Sequence, residues 1–409
     1  MVPKDWDSIP LGKISSVVTS GSRDWARYYS TFGSKFIRMT NLNRNGIDLL
    51  LNDLRYVSIN SESNDGKRTS LQYGDILISI TAELGKIGWV PKDFGEAYIN
   101  QHTAMVRLDP AKAESKFIAY QLSSHRLNKI INSLNDAGAK AGLNLPTVKS
   151  IPVLLPPLPE QKKIAKILST WDKAITTTEK LLANSEQQKK ALMQQLLTGK
   201  ILFPTDTSAW RSFTLSEIFD FKKGRGLSKD MITSRGKNRC ILYGELYTQY
   251  NEVIKNVVSR TDSNDGLPSK SGDVLLPCST TTTGTDLAKA VALFEDGILL
   301  GGDINVLRPK ISVDSAFLAY LLTHVKRNAI ASKAQGITII HLYGSDLKNL
   351  EVTIPEILRE QQKISSVISI VDGEIEKLKQ KLDCLKIEKK ALMQQLLTGK
   401  RRVRLQGDV

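Results

Sequence analysis

The chain has 409 residues, enough for two domains of ordinary size that each bury a hydrophobic core. Its net charge of +15 and isoelectric point of about 9.5 favour a polyanionic partner such as nucleic acid. Three scattered cysteines argue against a disulfide framework or a zinc site, and the absence of an apolar leader or a membrane-length apolar run indicates a cytoplasmic protein.

The first predicted segment, residues 1–155, is a module of mixed helix and strand that we call module 1. Apolar or β-branched residues between turn signals predict strands at Lys35–Met39, Asp75–Ile80, Gly85–Val90 and Ala104–Leu108. Apolar residues at helical spacing predict one helix over Ser115–Leu134.

A long helix is predicted within residues 156–200, beginning near Pro159 after a proline cluster and ending at Gly199. Its apolar positions alternate spacings of four and three residues, which is typical of a coiled coil. The apolar residues of this seam are Ile164, Leu168, Trp171, Ile175 and Leu182.

After a linker at 201–209, residues 210–354 are predicted to form module 2, with a helix over about Ser315–Ser332. A second long helix is predicted within 355–400, opening at Pro355, and a polar, loose tail at 401–409. The seam of this helix contains Ile364, Ile368, Val371, Ile375, Leu378 and Leu382.

The chain is an internal repeat, because Lys189–Lys200 recurs letter for letter as Lys389–Lys400. The Glu160-Gln161 pair likewise recurs as Glu360-Gln361. We therefore predict an α+β fold with a pseudo-twofold repeat, in which two similar mixed α/β modules are joined by two long antiparallel helices. Each seam would be roughly 50 Å long, against about 34–36 Å for one turn of B-DNA.

Catalytic motifs are absent from the sequence. It has no phosphate-binding loop and no Asn-Pro-Pro-aromatic motif of amino-methyltransferases, and its four histidines are not at metal-ligand spacing. Glu160-Gln161 resembles a fragment of a nuclease motif, but a helix start at the protein surface is the favoured interpretation. The chain is therefore predicted to be non-catalytic, with no metal site.

Polar and basic residues of module 1 are predicted to contact DNA, since Arg and Asn bond to base edges and Lys and Arg hold phosphates. These residues are Arg23, Arg27, Lys35, Arg38, Asn41, Asn43, Arg44, Gln101, His102, Lys140 and Asn144. The alternative is that they belong to solvated turns.

Module 2 offers a different set at matching places. The candidates are Lys222, Lys223, Arg225, Tyr243, Glu245, Thr281 and Asn305. The hydroxyl run that contains Thr281 has an alternative interpretation as a flexible loop without a ligand.

The layout resembles the specificity subunit of type I restriction-modification systems. The resemblance rests on the segment Leu154–Gln161, on the Gln194–Lys200 helix ending and on its second copy, and it covers essentially the whole chain. It implies two target-recognition domains that read a bipartite, asymmetric DNA site. It also implies two methyltransferase subunits as partners, and restriction subunits through the complex. This chain would bind no cofactor, because S-adenosylmethionine, ATP and Mg would lie on those partners.

Two other functions remain open at this point. The chain could be a stand-alone two-headed regulator or architectural protein that binds DNA without a methyltransferase. It could also be an interaction scaffold whose basic charge is incidental. Strong salt dependence of DNA binding would exclude the scaffold, and co-purification with a methyltransferase would exclude the stand-alone regulator.

Overall fold

The computed structural model describes residues 3–59, 64–135, 142–201, 203 and 209–404. It divides into two compact units, the first of residues 1–178 with 381–409 and the second of residues 179–380. Each unit therefore contains one module and about half of each long helix. The predicted segment boundaries themselves stay a prediction.

Module 1 is built from two four-stranded sheets and a terminal strand pair. The strands are β1 (Asp7–Pro10), β2 (Ser15–Ser20), β3 (Tyr29–Ser30), β4 (Ser34–Ile37), β5 (Arg55–Val57), β6 (Ile76–Ser79), β7 (Ile87–Trp89), β8 (Ala97–Ile99), β9 (Thr103–Leu108) and β10 (Pro152–Leu155). The helices are α1 (Asn64–Thr69), α2 (Ser115–Ser123), α3 (His125–Ser133) and α4 (Leu145–Ser150). The sheets have the orders β2-β9-β6-β7 and β3-β5-β4-β8.

The predicted single helix over 115–134 is wrong, because the structure has two helices that meet at Ser124. This residue has extended backbone angles, φ −65° and ψ 146°, so it cannot continue α2. Its hydroxyl instead accepts a hydrogen bond from the Leu127 amide and caps α3. The apolar spacing continues across the break because both helices face the same core.

The first long helix is α5 (Leu158–Leu196), and module 2 follows it. The strands of module 2 are β11 (Trp210–Thr214), β12 (Phe219–Lys223), β13 (Ile232–Thr233), β14 (Asn238–Ile241), β15 (Arg260–Thr261), β16 (Leu267–Pro268), β17 (Asp273–Pro277), β18 (Ser279–Thr280), β19 (Val291–Leu293), β20 (Leu299–Leu300), β21 (Ile304–Pro309), β22 (Ile340–His341) and β23 (Glu351–Pro355). The helices are α6 (Leu215–Ile218), α7 (Glu245–Thr248), α8 (Ser315–Tyr320), α9 (Arg327–Ala331) and α10 (Gly344–Leu347), and the second long helix is α11 (Leu358–Leu396).

Sheet topology repeats between the modules. The orders β12-β21-β17-β19 and β13-β15-β14-β20-β16 in module 2 correspond to the two larger sheets of module 1. In each module one pair is parallel, β4 with β8 and β14 with β20. The predicted helix at 315–332 is interrupted, since a wider helical turn separates α8 from α9.

The long helices pack antiparallel. In the first unit, Ile164 and Leu168 from the start of α5 share a core with Leu396 from the end of α11. In the second unit, Leu196 from the end of α5 shares a core with Ile364 and Ile368. Every predicted seam residue is buried or half-buried, as the alternating spacing requires. No helix in the described ranges is long and apolar enough to cross a membrane.

The repeated Glu-Gln pair fastens each module to its helix. Glu160 is only 2% exposed and accepts a hydrogen bond from the Trp6 indole, while the Gln161 amide oxygen accepts from the Glu114 backbone. Glu360 and Gln361 make the same contacts in the second unit with Trp210 and Asp314 as donors. The expected surface role is therefore wrong, because both pairs are buried and bonded within their units.

The predicted loose tail is partly ordered. Arg402 donates hydrogen bonds of 2.7 Å to both carboxylate oxygens of Glu160, and it also pairs with Asp5. Hydrogen bonding to the two carboxylates raises the pKa of this guanidinium. Residues 405–409 lie outside the described part of the chain.

A lysine is buried in the helix seam of each unit. Lys389 pairs with Asp172, which also accepts a hydrogen bond from the Tyr120 hydroxyl. Lys189 lies 2.6 Å from Asp372, which accepts from Tyr320 in the same way. These two seam lysines therefore form ion pairs with aspartates that each accept a hydrogen bond from a tyrosine of the module.

Candidate nucleic-acid interface

Polar side chains of module 1 collect at one edge of the β3-β5-β4-β8 sheet. Ile37 pairs with Ile99 in the parallel strands β4 and β8, so the residues that follow these strands emerge side by side. The loop after β2 reaches the same place, because Ser22 forms a backbone bridge with Asn100. We call this surface edge 1, which comprises residues 20–23, 38, 81 and 100–102.

Gly21 makes the close approach at edge 1 possible. Its amide donates a 3.2 Å hydrogen bond to the Asn100 carbonyl. A Cβ on this residue would lie 2.2 Å from the Asn100 carbonyl carbon. Any side chain at position 21 would therefore push the β2 loop away from the 100–102 turn.

His102 is held by partners on both ring nitrogens. Thr81 Oγ1 lies 2.7 Å from Nδ1, and Gln101 Nε2 lies 3.0 Å from Nε2. The His102 backbone amide also donates to Asn100 Oδ1 over 3.2 Å. The half-buried ring thus has a defined orientation, and a base edge would have to replace one of these two partners to bond to it.

Edge 1 encloses an open depression of about 600 Å³. Its lining residues are Ser20, Gly21, Ser22, Arg23, Arg68, Thr81, Gln101 and His102. Arg68 was missed by the sequence reasoning. It lies in the last turn of the short helix α1 and bonds to the Ser22 hydroxyl, and no spacing in the sequence links it to the loop at 20–23.

Module 2 has an equivalent edge built on the same backbone hydrogen bonds. The Ile80 amide donates to the His102 carbonyl in module 1, and the Cys278 amide donates to the Asp303 carbonyl in module 2. A Cβ on Gly224 would lie 1.9 Å from the Gly301 carbonyl oxygen, as close a fit as that of Gly21. We call this surface edge 2, which comprises residues 222–225, 243, 279–281 and 301–303.

The side chains at the equivalent positions differ between the two edges. Asp303 stands where module 1 has His102, and it accepts a hydrogen bond from Ser279, which stands where module 1 has Thr81. A carboxylate only accepts hydrogen bonds, whereas an imidazole both donates and accepts. One backbone frame therefore presents two different hydrogen-bonding patterns.

Cationic side chains surround edge 2. Lys223 Nζ lies 3.7 Å from Asp303, and its side chain is 63% exposed. Arg225 lies 3.8 Å from Asp265 and is 69% exposed. Lys222 and Thr281 are exposed, and Tyr243, in the chain segment that follows β14, is half-buried.

Four predicted contact residues of module 1 are engaged within the module. Arg38 bonds to Asp53 at edge 1, and this hydrogen bond lowers the pKa of the carboxyl. Lys35 donates to the Phe94 carbonyl at the opposite end of β4. Arg44 donates to the Leu84 carbonyl in the β6–β7 loop. The Asn43 side chain accepts from the Asn45 amide.

The contacts of two further predicted residues of module 1 are local, and a third residue lies outside the described ranges. Arg27 is exposed and lies over the ring of Tyr28. Asn144 caps α4 by accepting from the Thr147 amide over 2.8 Å. Lys140 lies outside the described residues.

Three predicted contact residues are buried. Asn41 is 1% exposed and donates to the Leu50 carbonyl, and Asn305 is 4% exposed and donates to the Leu342 carbonyl. Glu245 accepts from the Leu242 amide and from Ser259. These side chains close turns of the fold, a role that amide and carboxylate groups fill as readily as base contact, so the candidate interface leaves them out.

The buried thiols of module 2 have pKa values above the ordinary range of a thiol. Burial raises the pKa of the Cys278 thiol to about 12 and that of Cys240 to about 11, so both remain protonated near neutral pH. The described residues contain no group of three or more His, Cys, Asp or Glu side chains placed to hold a metal ion.

Comparison with known proteins gives a consistent family match. The model of the type I restriction modification DNA specificity domain matches twice, over residues 3–187 and 207–386. The type I restriction enzyme MjaVIII specificity subunit of Methanocaldococcus jannaschii is 23% identical, over 98% of this chain and 94% of that protein. A protein from the same archaeon, provisionally named as the MjaX specificity subunit, is 25% identical, over 98% and 95%.

Solved structures share the fold. The crystal structure of the type I restriction-modification system S subunit from M. genitalium aligns with a TM-score of 0.64 and 15% identity, covering 97% of this chain and 99% of that chain. At this identity the likeness supports the two-module architecture with its paired long helices.

Proposed function

The chain belongs to the family of type I restriction-modification DNA specificity domains, and from this premise we propose that it reads a bipartite, asymmetric DNA site. Module 1 would read one half-site through edge 1, and module 2 would read the other through edge 2. The observation that carries the proposal is the shared backbone frame with different side chains, His102 in one edge and Asp303 in the other.

Charge supports DNA as the ligand of both edges. Arg23 is exposed at edge 1, and Lys222, Lys223 and Arg225 are exposed at edge 2. Such cations hold phosphates and position the protein, whereas the oriented polar groups between them can discriminate base edges. A net charge of +15 adds long-range attraction to the duplex.

The paired long helices would set the gap between half-sites. Each helix has 39 residues, so it is about 58 Å long at 1.5 Å per residue. A coiled coil of this length spans more than one turn of B-DNA, which is about 34–36 Å. The gap in the recognised site would then be a property of helix length and would not depend on the module sequences.

Two methyltransferase subunits and, through them, restriction subunits are the proposed partners in the cytoplasm. The chain would be their non-catalytic targeting subunit, and S-adenosylmethionine, ATP and Mg would bind to the partners.

A selection experiment tests the proposal. The full chain, co-expressed with a type I methyltransferase subunit, is used to select randomised duplexes at about 150 mM salt, where nonspecific phosphate binding is weak. We expect two unlike short motifs at one fixed gap. Binding that is weak and equal for all sequences would refute the proposal.

Variants then assign the half-sites. His102→Ala should weaken the base preference within one motif, and Asp303→Ala should weaken it within the other, because each substitution removes an oriented group from a single edge. His125→Ala is the matched control, since this histidine is exposed at the start of α3 and outside edge 1. Relaxation of both motifs by one substitution would show that the modules do not read independently.

A further inference from the structure

Module 2 carries a narrow loop at residues 335–341. Gln335 and His341 exchange both backbone hydrogen bonds, with N···O distances of 2.9 and 2.7 Å, and so close the loop at its base. Gly336 has φ +121°, and a Cβ there would lie 2.1 Å from the Ile339 carbonyl oxygen. The backbone thus accepts only glycine at this position and sets where the tip points.

The loop displays apolar side chains to solvent. Ile337 at the tip is 99% exposed, Ile339 is 48% exposed and the nearby Tyr343 is 50% exposed. Tyr343 stacks on the His341 ring with centroids 6.0 Å apart. We call Ile337, Ile339 and Tyr343 the apolar crest. Three such side chains within seven residues of the chain indicate a binding surface.

The loop that carries the crest is joined to edge 2 by backbone pairing. Strand β22, at the end of the loop, pairs with β18, so His341 lies opposite Ser279. The next residue, Leu342, donates its amide to the Cys278 carbonyl over 2.8 Å. The segment that carries the crest is therefore paired with β18, the strand directly before Thr281.

The chain segment that contains the crest is basic in sequence. Between Asp314 and Asp346 the sequence contains no carboxylate side chain, while it contains Lys326, Arg327 and Lys333. Protein–protein interfaces are depleted of lysine relative to the rest of the surface. Protein–DNA interfaces are much more positively charged.

We propose that Ile337 inserts between two base pairs of the half-site that module 2 reads. This inference rests on the proposed function, since it requires duplex DNA at edge 2. Apolar side chains that enter the stack in this way unstack one base step and kink the duplex. Ile337 would thereby add readout of the deformability of the step to the hydrogen-bond readout at edge 2.

The test uses duplexes that carry the selected site with 2-aminopurine, an adenine analogue whose fluorescence rises on unstacking, in place of each adenine in turn. The full chain is assembled with its methyltransferase subunits, and Ile337→Ala is compared with wild type at the same position. Any fluorescence rise that the methyltransferase causes by distorting the DNA is then equal in both proteins and cancels in the comparison. The matched control is Ile370→Ala, because Ile370 is 68% exposed on α11.

We expect a fluorescence rise at one step of a single half-site, lost in Ile337→Ala and retained in Ile370→Ala. An absent rise in wild type, or an equal rise in Ile337→Ala, would overturn the insertion while specific binding of the site continued to support the proposed function. Loss of methyltransferase co-purification in Ile337→Ala would also overturn it, because the crest would then contact protein. Failure of wild type to select any site would instead refute the proposed function.

Discussion

Replacement of Lys389 by methionine tests whether the buried ion pair stabilises the helix seam. Lys389 is 7% exposed and pairs with Asp172, whose carboxylate also accepts from the Tyr120 hydroxyl. Methionine keeps the apolar stem and removes the charge. Asp172 would then lack its cation, close to Asp48, a carboxyl whose pKa is raised by burial and by the negative charge of Asp172.

The expected loss follows from the burial of the pair. Removal of one member of a buried ion pair costs about 3–5 kcal/mol, because the other charge stays uncompensated. The Asp172 side chain is 18% exposed and keeps its tyrosine donor, so we expect about 2–3 kcal/mol, below that range. For a unit of this size the midpoint of thermal unfolding should fall by about 5–10 °C.

Urea unfolding of the variant gives the free energy, and hydrogen exchange of the start of α5 localises the change to the first unit. Lys390→Met is the matched control, because Lys390 is exposed on the same helix and should change stability by at most about 0.5 kcal/mol. Adding Asp172→Asn to Lys389→Met should recover part of the loss, since the uncompensated charge is removed. A Lys389→Met loss no larger than that of the control would refute the reasoning.

Five further outcomes are expected. Gly373→Ala should stabilise α11 by about 0.5–1 kcal/mol in urea unfolding, because a Cβ there meets no atom within 4 Å. Gly21→Ala should weaken binding of one half-site, because a Cβ at this position would push the β2 loop away from the 100–102 turn. Arg23→Ala should reduce the salt slope of binding by about one and lower affinity for all sequences alike; an unchanged slope would place Arg23 away from phosphates. Deletion of one matched heptad from both long helices should shorten the gap by about three base pairs, from about 10 Å of helix and 3.4 Å per base pair; an unchanged gap would end the spacer proposal. Burial raises the pKa of Glu252, but the hydrogen bond to His324 and two nearby lysines outweigh burial and hold it well below its usual range. The folded protein therefore binds fewer protons than the unfolded one, so stability should fall as pH drops below about 4.3, and Glu252→Gln should flatten this dependence in acid unfolding.

The repeat and the long helices were predictable from the sequence because they depend on local order and periodicity. Apolar residues at spacings of four and three lie on one face of a helix regardless of the rest of the fold. All predicted seam residues are buried or half-buried. The four strands predicted in module 1 lie within a few residues of β4, β6, β7 and β9, because β-branched runs between turn signals are typical of strands. The break at Ser124 was missed because one apolar face runs through both helices.

The candidate site depended on contacts between distant residues. Asn41 and Glu245 carry the right groups for base readout, but the fold uses both to close buried turns. Arg68 joins Ser22 across 46 residues, and His102 meets Thr81 only because β6 and β9 are neighbours in one sheet.

The sequence by itself therefore determined the two-copy plan, the antiparallel helices and the basic charge, since repetition, periodicity and composition are properties of the chain. Only the tertiary structure decided which polar side chains lie at the surface. A hydrogen-bonding group serves a turn or a ligand equally well, and strand pairing over long sequence distances selects between these roles.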